Sequence, residues 1–446
     1  MAVGVKSRKA QVLSELDPEL ADLHASGYMH IHDLDGYGRI HNCSSPEVAN
    51  CIHPEAFRSV TVSGKMAELF EGYRALITSL ATMQSGGIGF SKFDIDTAAL
   101  LDDLGIESTV ETDLILRDCV GSFLQWLNTS RTRFSRELYY VTLHVGLSTG
   151  VWGRKVTQAV IDAFQAQPLH FKQPNIVFKV KESLHGDTGS APNRDLYLKA
   201  LSCTAHRMIP TYLLLDSAPN ADCDPELLGI MGCRSRIEAN CNGRAGGYGR
   251  GNAAYVTLNL PRIALESEDV ASFYDRLGSL LPKAKAVLDG RAAALVKGHA
   301  ACDDPVFDIW MDGVDSIEDL VANATHSIGF IGVAETVQIL TGETYHLSKT
   351  AQALGMSIVR YLRAYVDEQR QKCSVNYSLL ATSGEFISGK FVGTDAHHHP
   401  HPLQEKGFYT NSFHVAVDAG VPVCDKLRIE GPFHLLCNGG SISYVE

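Results

Sequence analysis

Residues 231–262 read MGCRSRIEANCNGRAGGYGRGNAAYVTLNLPR. An apolar element, Leu227–Met231, gives way at Cys233 to a polar loop, and the loop runs into the strand-like Ala253–Leu258. Six glycines between 232 and 251 allow a backbone close to a ligand in conformations other residues resist. Arg250-Gly-Asn252 ends the loop with a carboxamide able to donate to a hydroxyl. A buried, inert thiol is the commoner fate of a free cysteine. The loop chemistry nonetheless makes Cys233 the first candidate for catalysis.

Outward from this stretch, helical spacing marks residues 11–25, 65–82, 110–128, 155–166, 269–297, 317–324 and 349–371. Asn175–Val180, Thr211–Leu215 and Ala253–Leu258 have the composition of buried strands. Alternating helices and strands predict an α/β barrel or a doubly wound sheet. Gln84-Ser-Gly-Gly-Ile-Gly89 is a break between elements, and Asp395-Ala-His-His-His-Pro-His-Pro402 a loop by its prolines. No internal repeat or low-complexity linker is evident.

The chain has 446 residues, 45% hydrophobic and 20% charged, enough for a large core. Its net charge of -12, without a run of Lys or Arg, argues against a nucleic-acid polymer as partner. A nucleotide stays possible, since helix N-termini hold phosphates without a basic surface. No apolar run of about 18 residues and no signal-peptide pattern occurs, so a soluble, cytoplasmic protein without membrane contact is expected. The 11 cysteines contain no C-x-x-C pair, which argues against a zinc knuckle and for reduced thiols.

Several segments together carry a family resemblance. Met231-Gly-Cys-Arg-Ser-Arg236, Gly249-Arg-Gly-Asn252 and Thr257-Leu-Asn-Leu-Pro-Arg262 resemble the active-cysteine loop of the anaerobic, class III ribonucleoside-triphosphate reductases. Gly27-Tyr-Met-His-Ile-His-Asp-Leu-Asp35, Asn42-Cys43, Gln84-Ser-Gly-Gly87 and Pro174-Asn175 have counterparts in the family's order. So do Ser327–Gly332, Ser378–Glu385, Tyr409–His414 and Cys437–Glu446.

The resemblance implies a ten-stranded α/β barrel of two antiparallel five-stranded halves, with a finger loop, about 231–252, threading its interior. Residues 1–446 would form this single catalytic domain. Cys233 would become a thiyl radical and take the 3′ hydrogen of a ribonucleotide. Cys43 would face the other side of the sugar, supplying the proton that lets the 2′ hydroxyl leave and then a reducing hydrogen. Cys51 is the weaker candidate for that role. Asn252 matches a residue that binds the substrate hydroxyls.

The loop Asn411, Ser412, His414 and the turn Asn438, Gly439, Gly440 have the small polar and glycine composition that suits phosphate, though either could be a plain strand connection. His30 and His32, followed by Asp33 and Asp35, resemble a structural motif of the family rather than a metal site. His397, His398, His399 and His401 read as a solvated loop, so no metal is expected.

Residues 1–446 are expected to hold neither the N-terminal ATP cone nor the C-terminal zinc and glycyl-radical segment usual in the family, the latter being a separate subunit, trimmed off or lost. The expectation is a barrel whose glycyl radical comes from a partner polypeptide, charged by an iron–sulfur S-adenosylmethionine activase. Formate or a thiol would be the reductant, and dNTP or ATP effectors and a homodimer are implied. The alternatives are a radical reaction on a nucleotide without net reduction, and a non-catalytic nucleotide-binding homologue.

Overall fold

A computed structural model describes residues 2–131, 137–187, 189–232, 234–299 and 316–445. Cys233 lies outside the described residues.

The strands in chain order are β1 (Met29–Ile31), β2 (Cys43–Ser45), β3 (Ile88–Phe90), β4 (Val141–Val145), β5 (Asn175–Val180), β6 (Thr211–Leu214), β7 (Gly229–Met231), β8 (Ser235–Ile237), β9 (Arg250–Asn259), β10 (Thr325–Ile331) and β11 (Asn376–Ala381). All but β7 and β8 join one mixed sheet of nine strands, in the order β11-β10-β9-β2-β3-β4-β5-β6, with β1 also on β9. Strands β2 to β6 run parallel to one another, and so do β9, β10 and β11. The two sets meet antiparallel where β2 pairs with β9. These are the opposed halves expected of the α/β fold, though the described residues give nine strands where ten were expected, five in one half and three in the other with β1 added antiparallel. Among the described residues, β11 and β6 are not hydrogen-bonded to each other.

Side-chain alternation sorts each strand into two faces. On the first half Ile88, Phe90, Val141, Leu143, Val145, Ile176 and Phe178 face a core shared with helices α3 (Val62–Leu80), α4 (Phe93–Asp103), α5 (Val110–Thr129) and α6 (Val151–Ala166). On the second half Val256, Leu258, Ile328, Phe330, Leu379 and Ala381 face another core, which the helices Val270–His299 and Lys349–Cys373 cover. The opposite face is polar. It carries Thr142, His144, Asn175 and Lys179 on one half and Thr257, Thr325, Ser327 and Ser378 on the other, all at most partly exposed. The helices therefore take the apolar surface, and the inner face is left for chemistry.

Two local expectations need correction. The helix expected over 11–25 is two helices, Ala2–Glu15 and Pro18–Ala25. Pro18 disfavours helical geometry at Asp17, which leaves the helix and caps the next one by accepting from the Glu19 N–H at 2.9 Å. The histidine-rich stretch is not wholly a loop, because a helix from Glu385 to His398 carries Asp395, His397 and His398 and stops before Pro400. Asp395, fully buried, accepts from Asn259 Nδ2 and Tyr409 OH at 2.9 Å each, which holds that last turn helical. No helix among the described residues is long and apolar enough to cross a membrane.

Burial keeps several imidazoles neutral. It lowers His24 to about 4, His30 to about 2, and His41, His144 and His414 each to about 3. In the unfolded chain each would titrate near ~6.5. Their contribution is therefore complete above that pH and is lost as pH falls toward the folded values, by up to about 1.4 kcal/mol per unit and per group. The urea midpoint is expected to drop steeply between pH 7 and pH 5, before most carboxylates titrate. A flat profile would contradict the neutral burial of these rings.

Candidate active site

The site is built where the two halves of the sheet meet. Cys43 on β2 and Asn252 on β9 are directly opposed partners in the antiparallel ladder, so their side chains share one face. The Asn42 N–H donates to the Asn252 carbonyl at 3.0 Å and fixes the register. The Cys43 thiol donates to Asn42 Oδ1 at 3.0 Å and accepts from the Gly87 N–H at 3.3 Å. It packs with Met231 and Ile237, one from each strand of the β7–β8 hairpin.

Asn252 reaches this face through a bulge. Thr325 pairs with Asn252 but His326 pairs with Ala254, so Ala253 is an extra residue in β9. In regular alternation Asn252 would share the outward side of Ala254, Val256 and Leu258, which pack in the helix-covered core. The extra residue turns it inward instead. There its Nδ2 donates to Thr325 Oγ1 at 2.8 Å, Ser327 Oγ at 2.9 Å and the Thr325 carbonyl at 3.1 Å. Both amide hydrogens are thus committed. The atom left buried without a hydrogen-bond partner is Oδ1. The sequence suggested a carboxamide that donates to a hydroxyl; in the structure its donors are committed to Thr325 and Ser327, and the atom left over is an acceptor.

The hairpin crosses the inner face, tethered on both sides at Gly232 and Arg234. The Gly232 carbonyl accepts from Thr142 Oγ1 of β4 at 2.9 Å and Asn175 Nδ2 of β5 at 3.0 Å. Arg234, 2% exposed, donates to the Ala381 carbonyl of β11 at 2.8 Å and to Tyr444 OH at 2.9 Å. The Ile230 N–H donates to His144 Nε2 at 2.9 Å, which leaves the Nδ1 proton for the Phe90 carbonyl at 3.0 Å. Cys233 follows Gly232 in the chain, so its two neighbours are fixed by three different strands.

The glycines of 84–89, read in the sequence only as a break, clear the way for this hairpin. A Cβ on Gly87 would lie 2.7 Å from the Gly232 nitrogen and 2.8 Å from its Cα. One on Gly89 would lie 3.0 Å from the Ile230 carbonyl oxygen, and one on Gly86 would collide with Cys43 Sγ. His144 and Thr142 were missed as functional candidates. Their alternation with Val141, Leu143 and Val145 in a buried strand was the available signal.

The other candidates separate. Cys51 ends a short turn and packs against the outer core beside α3, away from the inner face; burial and the neighbouring Glu47 push its thiol up to about 12. Asn411 Oδ1 accepts from Ser388 Oγ at 3.3 Å and sits so close to Gly384 that a Cβ there would strike it. The loop 411–414 therefore meets the start of the helix Glu385–His398, which has no side-chain cap. Ser412, at φ 40°, has a buried Oγ without a partner, and so do both ring nitrogens of His414. Asn411, His414, Lys426 and Tyr444 line a cavity of about 400 Å³.

Asn438, Gly439 and Gly440 go elsewhere. The Gly439 and Gly440 N–H groups donate to the Leu379 and Cys437 carbonyls, at 2.8 Å and 3.0 Å, while Asn438 Oδ1 accepts from the Leu379 N–H. These amides are not free to cradle a phosphate as the sequence suggested. Instead the Gly439 carbonyl accepts from the Arg236 N–H at 2.9 Å and anchors the hairpin.

His30 and His32 are buried, their rings edge to face at 4.7 Å, with Lys390 Nζ 3.0 Å from His30 Nδ1 and Thr257 Oγ1 2.8 Å from His32 Nε2. Asp33 accepts from Ser85 Oγ at 2.8 Å, and Asp35 pairs with Lys9 at the surface. His399 pairs with Glu266 and His401 caps Leu403, so the histidine-rich stretch is dispersed among separate partners.

The family model described as anaerobic ribonucleoside-triphosphate reductase matches residues 2–446. The chain belongs to that family. Among curated members of the anaerobic ribonucleoside-triphosphate reductase family, that of Escherichia coli K12 is 32% identical over 355 residues, 74% of this chain and 49% of the relative. The enzyme of phage T4 is 26% identical over 471 residues, 95% of this chain and 75% of the relative. The chain thus spans about half the length of the bacterial relatives and three quarters of the phage one.

The fold is that of the anaerobic ribonucleotide reductase from Thermotoga maritima. Its structure with citrate in the active site matches with a TM-score of 0.73 at 14% identity, covering 97% of this chain and 82% of that one. Its complex with dATP and CTP matches with a TM-score of 0.73 at 14% identity, covering 99% and 76%.

Proposed function

We propose that this chain is the catalytic barrel of an anaerobic ribonucleoside-triphosphate reductase, converting ribonucleotides to 2′-deoxyribonucleotides by thiyl-radical chemistry. The observation that carries the reading is the direct opposition of Cys43 and Asn252 on the inner face, with Cys43 packed against the hairpin strands that flank Cys233 in the chain. A binding protein has no chemical need for a thiol and an unsatisfied carboxamide oxygen facing one interior.

Radical equivalents come from a glycyl-radical polypeptide charged by an iron–sulfur S-adenosylmethionine activase. Cys233, as a thiyl, takes the 3′ hydrogen of the ribose; S–H and ribose C–H bonds are close in strength, so positioning sets the rate. Cys43 supplies the proton that lets the 2′ hydroxyl leave as water and, recharged with hydrogen from the reductant, passes a hydrogen to C2′. Asn252 Oδ1 accepts from a ribose hydroxyl and holds the sugar, its orientation locked by Thr325 and Ser327. Two electrons are taken from formate, released as carbon dioxide, or from a dithiol, released as a disulfide. Cys233 then returns its hydrogen to C3′ and is left as the thiyl radical for the next turnover.

The phosphates are assigned to the first-turn amides of the helix Glu385–His398, joined by Ser412 and His414, whose polar atoms lack partners. Effector dNTP or ATP binding and a homodimer complete the proposal. The test is anaerobic reconstitution with a glycyl-radical polypeptide, its activase and a reductant. The expected product is the 2′-deoxynucleotide, and it disappears in Cys233→Ala. Absence of product while the glycyl radical is visible by electron paramagnetic resonance would overturn the assignment.

A further inference from the structure

A second, smaller cavity lies at the N-terminal ends of β10 and β11. It encloses about 160 Å³ between Arg236 and Glu238 of the hairpin's exit, Thr325, Asn376 and Ser378 of the strands, Asn438, and Arg363 and Arg370 of the helix Lys349–Cys373. Three guanidinium groups and one carboxylate line a space smaller than the ~300 Å³ at which small-molecule pockets usually begin. Glu238 pairs with Arg236, and Asp367 with Arg363, each at 2.7 Å. Arg370 places its Nε 3.2 Å from Cys241 Sγ and, among the described residues, makes no ion pair. Arg236 is buried, and its Nε has no hydrogen-bond partner.

We propose that this cavity binds a phosphate-class oxyanion. Arginines present forked N–H pairs that match the edges of such an anion, and the amide of Asn438 and the hydroxyl of Ser378 add neutral donors beside them. The volume admits the anion and a few waters but excludes a nucleoside, so any nucleotide would reach in with its terminal phosphate alone. The cavity also backs onto Asn252. Thr325 lines it and accepts from Asn252 Nδ2, while Ser378 lies 2.8 Å from Ser327 Oγ, which accepts from the same amide. An anion held there bears on the hydroxyls that orient Asn252, whether or not the chain reduces ribonucleotides.

Calorimetric titration of the full chain at constant ionic strength tests this without turnover, with inorganic phosphate, pyrophosphate and a nucleoside triphosphate as separate arms. A saturable phosphate site is expected that Arg370→Gln weakens about tenfold or more and Arg428→Gln, an exposed arginine elsewhere, leaves unchanged. Arg370 is only half-buried, and thermal melting of both variants confirms the fold. Displacement of phosphate by the nucleoside triphosphate identifies a nucleotide tail as the occupant, and no displacement identifies the free anion. No saturable binding, or wild-type binding in Arg370→Gln, would overturn the proposal.

Discussion

Cys43→Ser is expected to cut deoxynucleotide formation by about 10³-fold or more while nucleotide binding and the melting temperature stay close to those of the parent chain. A serine hydroxyl fills nearly the volume of the thiol and keeps the donor to Asn42 Oδ1 and the acceptor for the Gly87 N–H. What it lacks is a weak hydrogen–heteroatom bond and a thiol's acidity, so it neither protonates the departing 2′ hydroxyl at the same cost nor returns a hydrogen to the sugar. The paired control is Cys51→Ser, since that thiol packs in the outer core. Product formed at the parent rate by Cys43→Ser, or lost in Cys51→Ser with the fold intact, would reverse the assignment of the second thiol.

The other large effect belongs to a residue with no side chain. Gly87→Ala puts a Cβ 2.7 Å and 2.8 Å from two backbone atoms of Gly232, and backbone atoms cannot rotate aside. The Gly232 carbonyl is held by Thr142 and Asn175, so the hairpin turn must shift against both bonds or the 84–89 segment must bend. Overpacking of this kind costs about 1–3 kcal/mol. A displacement near ~1 Å beside the reacting groups costs on the order of 10² in rate. The variant is therefore expected to fold with a lowered urea midpoint and to lose about 10²-fold in turnover, with substrate affinity less affected. Parent-level turnover would show that the hairpin does not depend on this close approach.

These two predictions differ in how much of them the sequence discloses. The family resemblance points to Cys43 ahead of Cys51, and nothing in 42–57 by itself separates the two thiols. Strand pairing separates them, since Cys43 lies in the ladder with β9 and Cys51 beyond it. Gly87 looked like punctuation, because sequence patterns show that a glycine bends or crowds the backbone but not what approaches it. The helices were legible from their apolar spacing, and β5 was read over the residues it occupies, 175–180. The run 11–25 was misjudged where Pro18 outweighed the spacing of the leucines, and Asp395–His398 where a buried carboxylate outweighed the nearby prolines.

Local sequence determined which residues could do chemistry: a thiol in a glycine-rich turn, a carboxamide at the start of a strand, and the apolar periodicities that assign helices and strands. It could not determine which way Asn252 faces or what stands opposite it. A strand's two-residue period is broken by one unmatched alanine, and that bulge exists only because β10 lies alongside β9. The pairing of Cys43 with Asn252, the tethering of Gly232 and Arg234 to strands on both halves, and the partnerless Oδ1 are contacts between segments distant in the chain. Such contacts form only when the two halves of the sheet pack against the hairpin, because desolvation and packing select among registers that the sequence alone leaves equivalent.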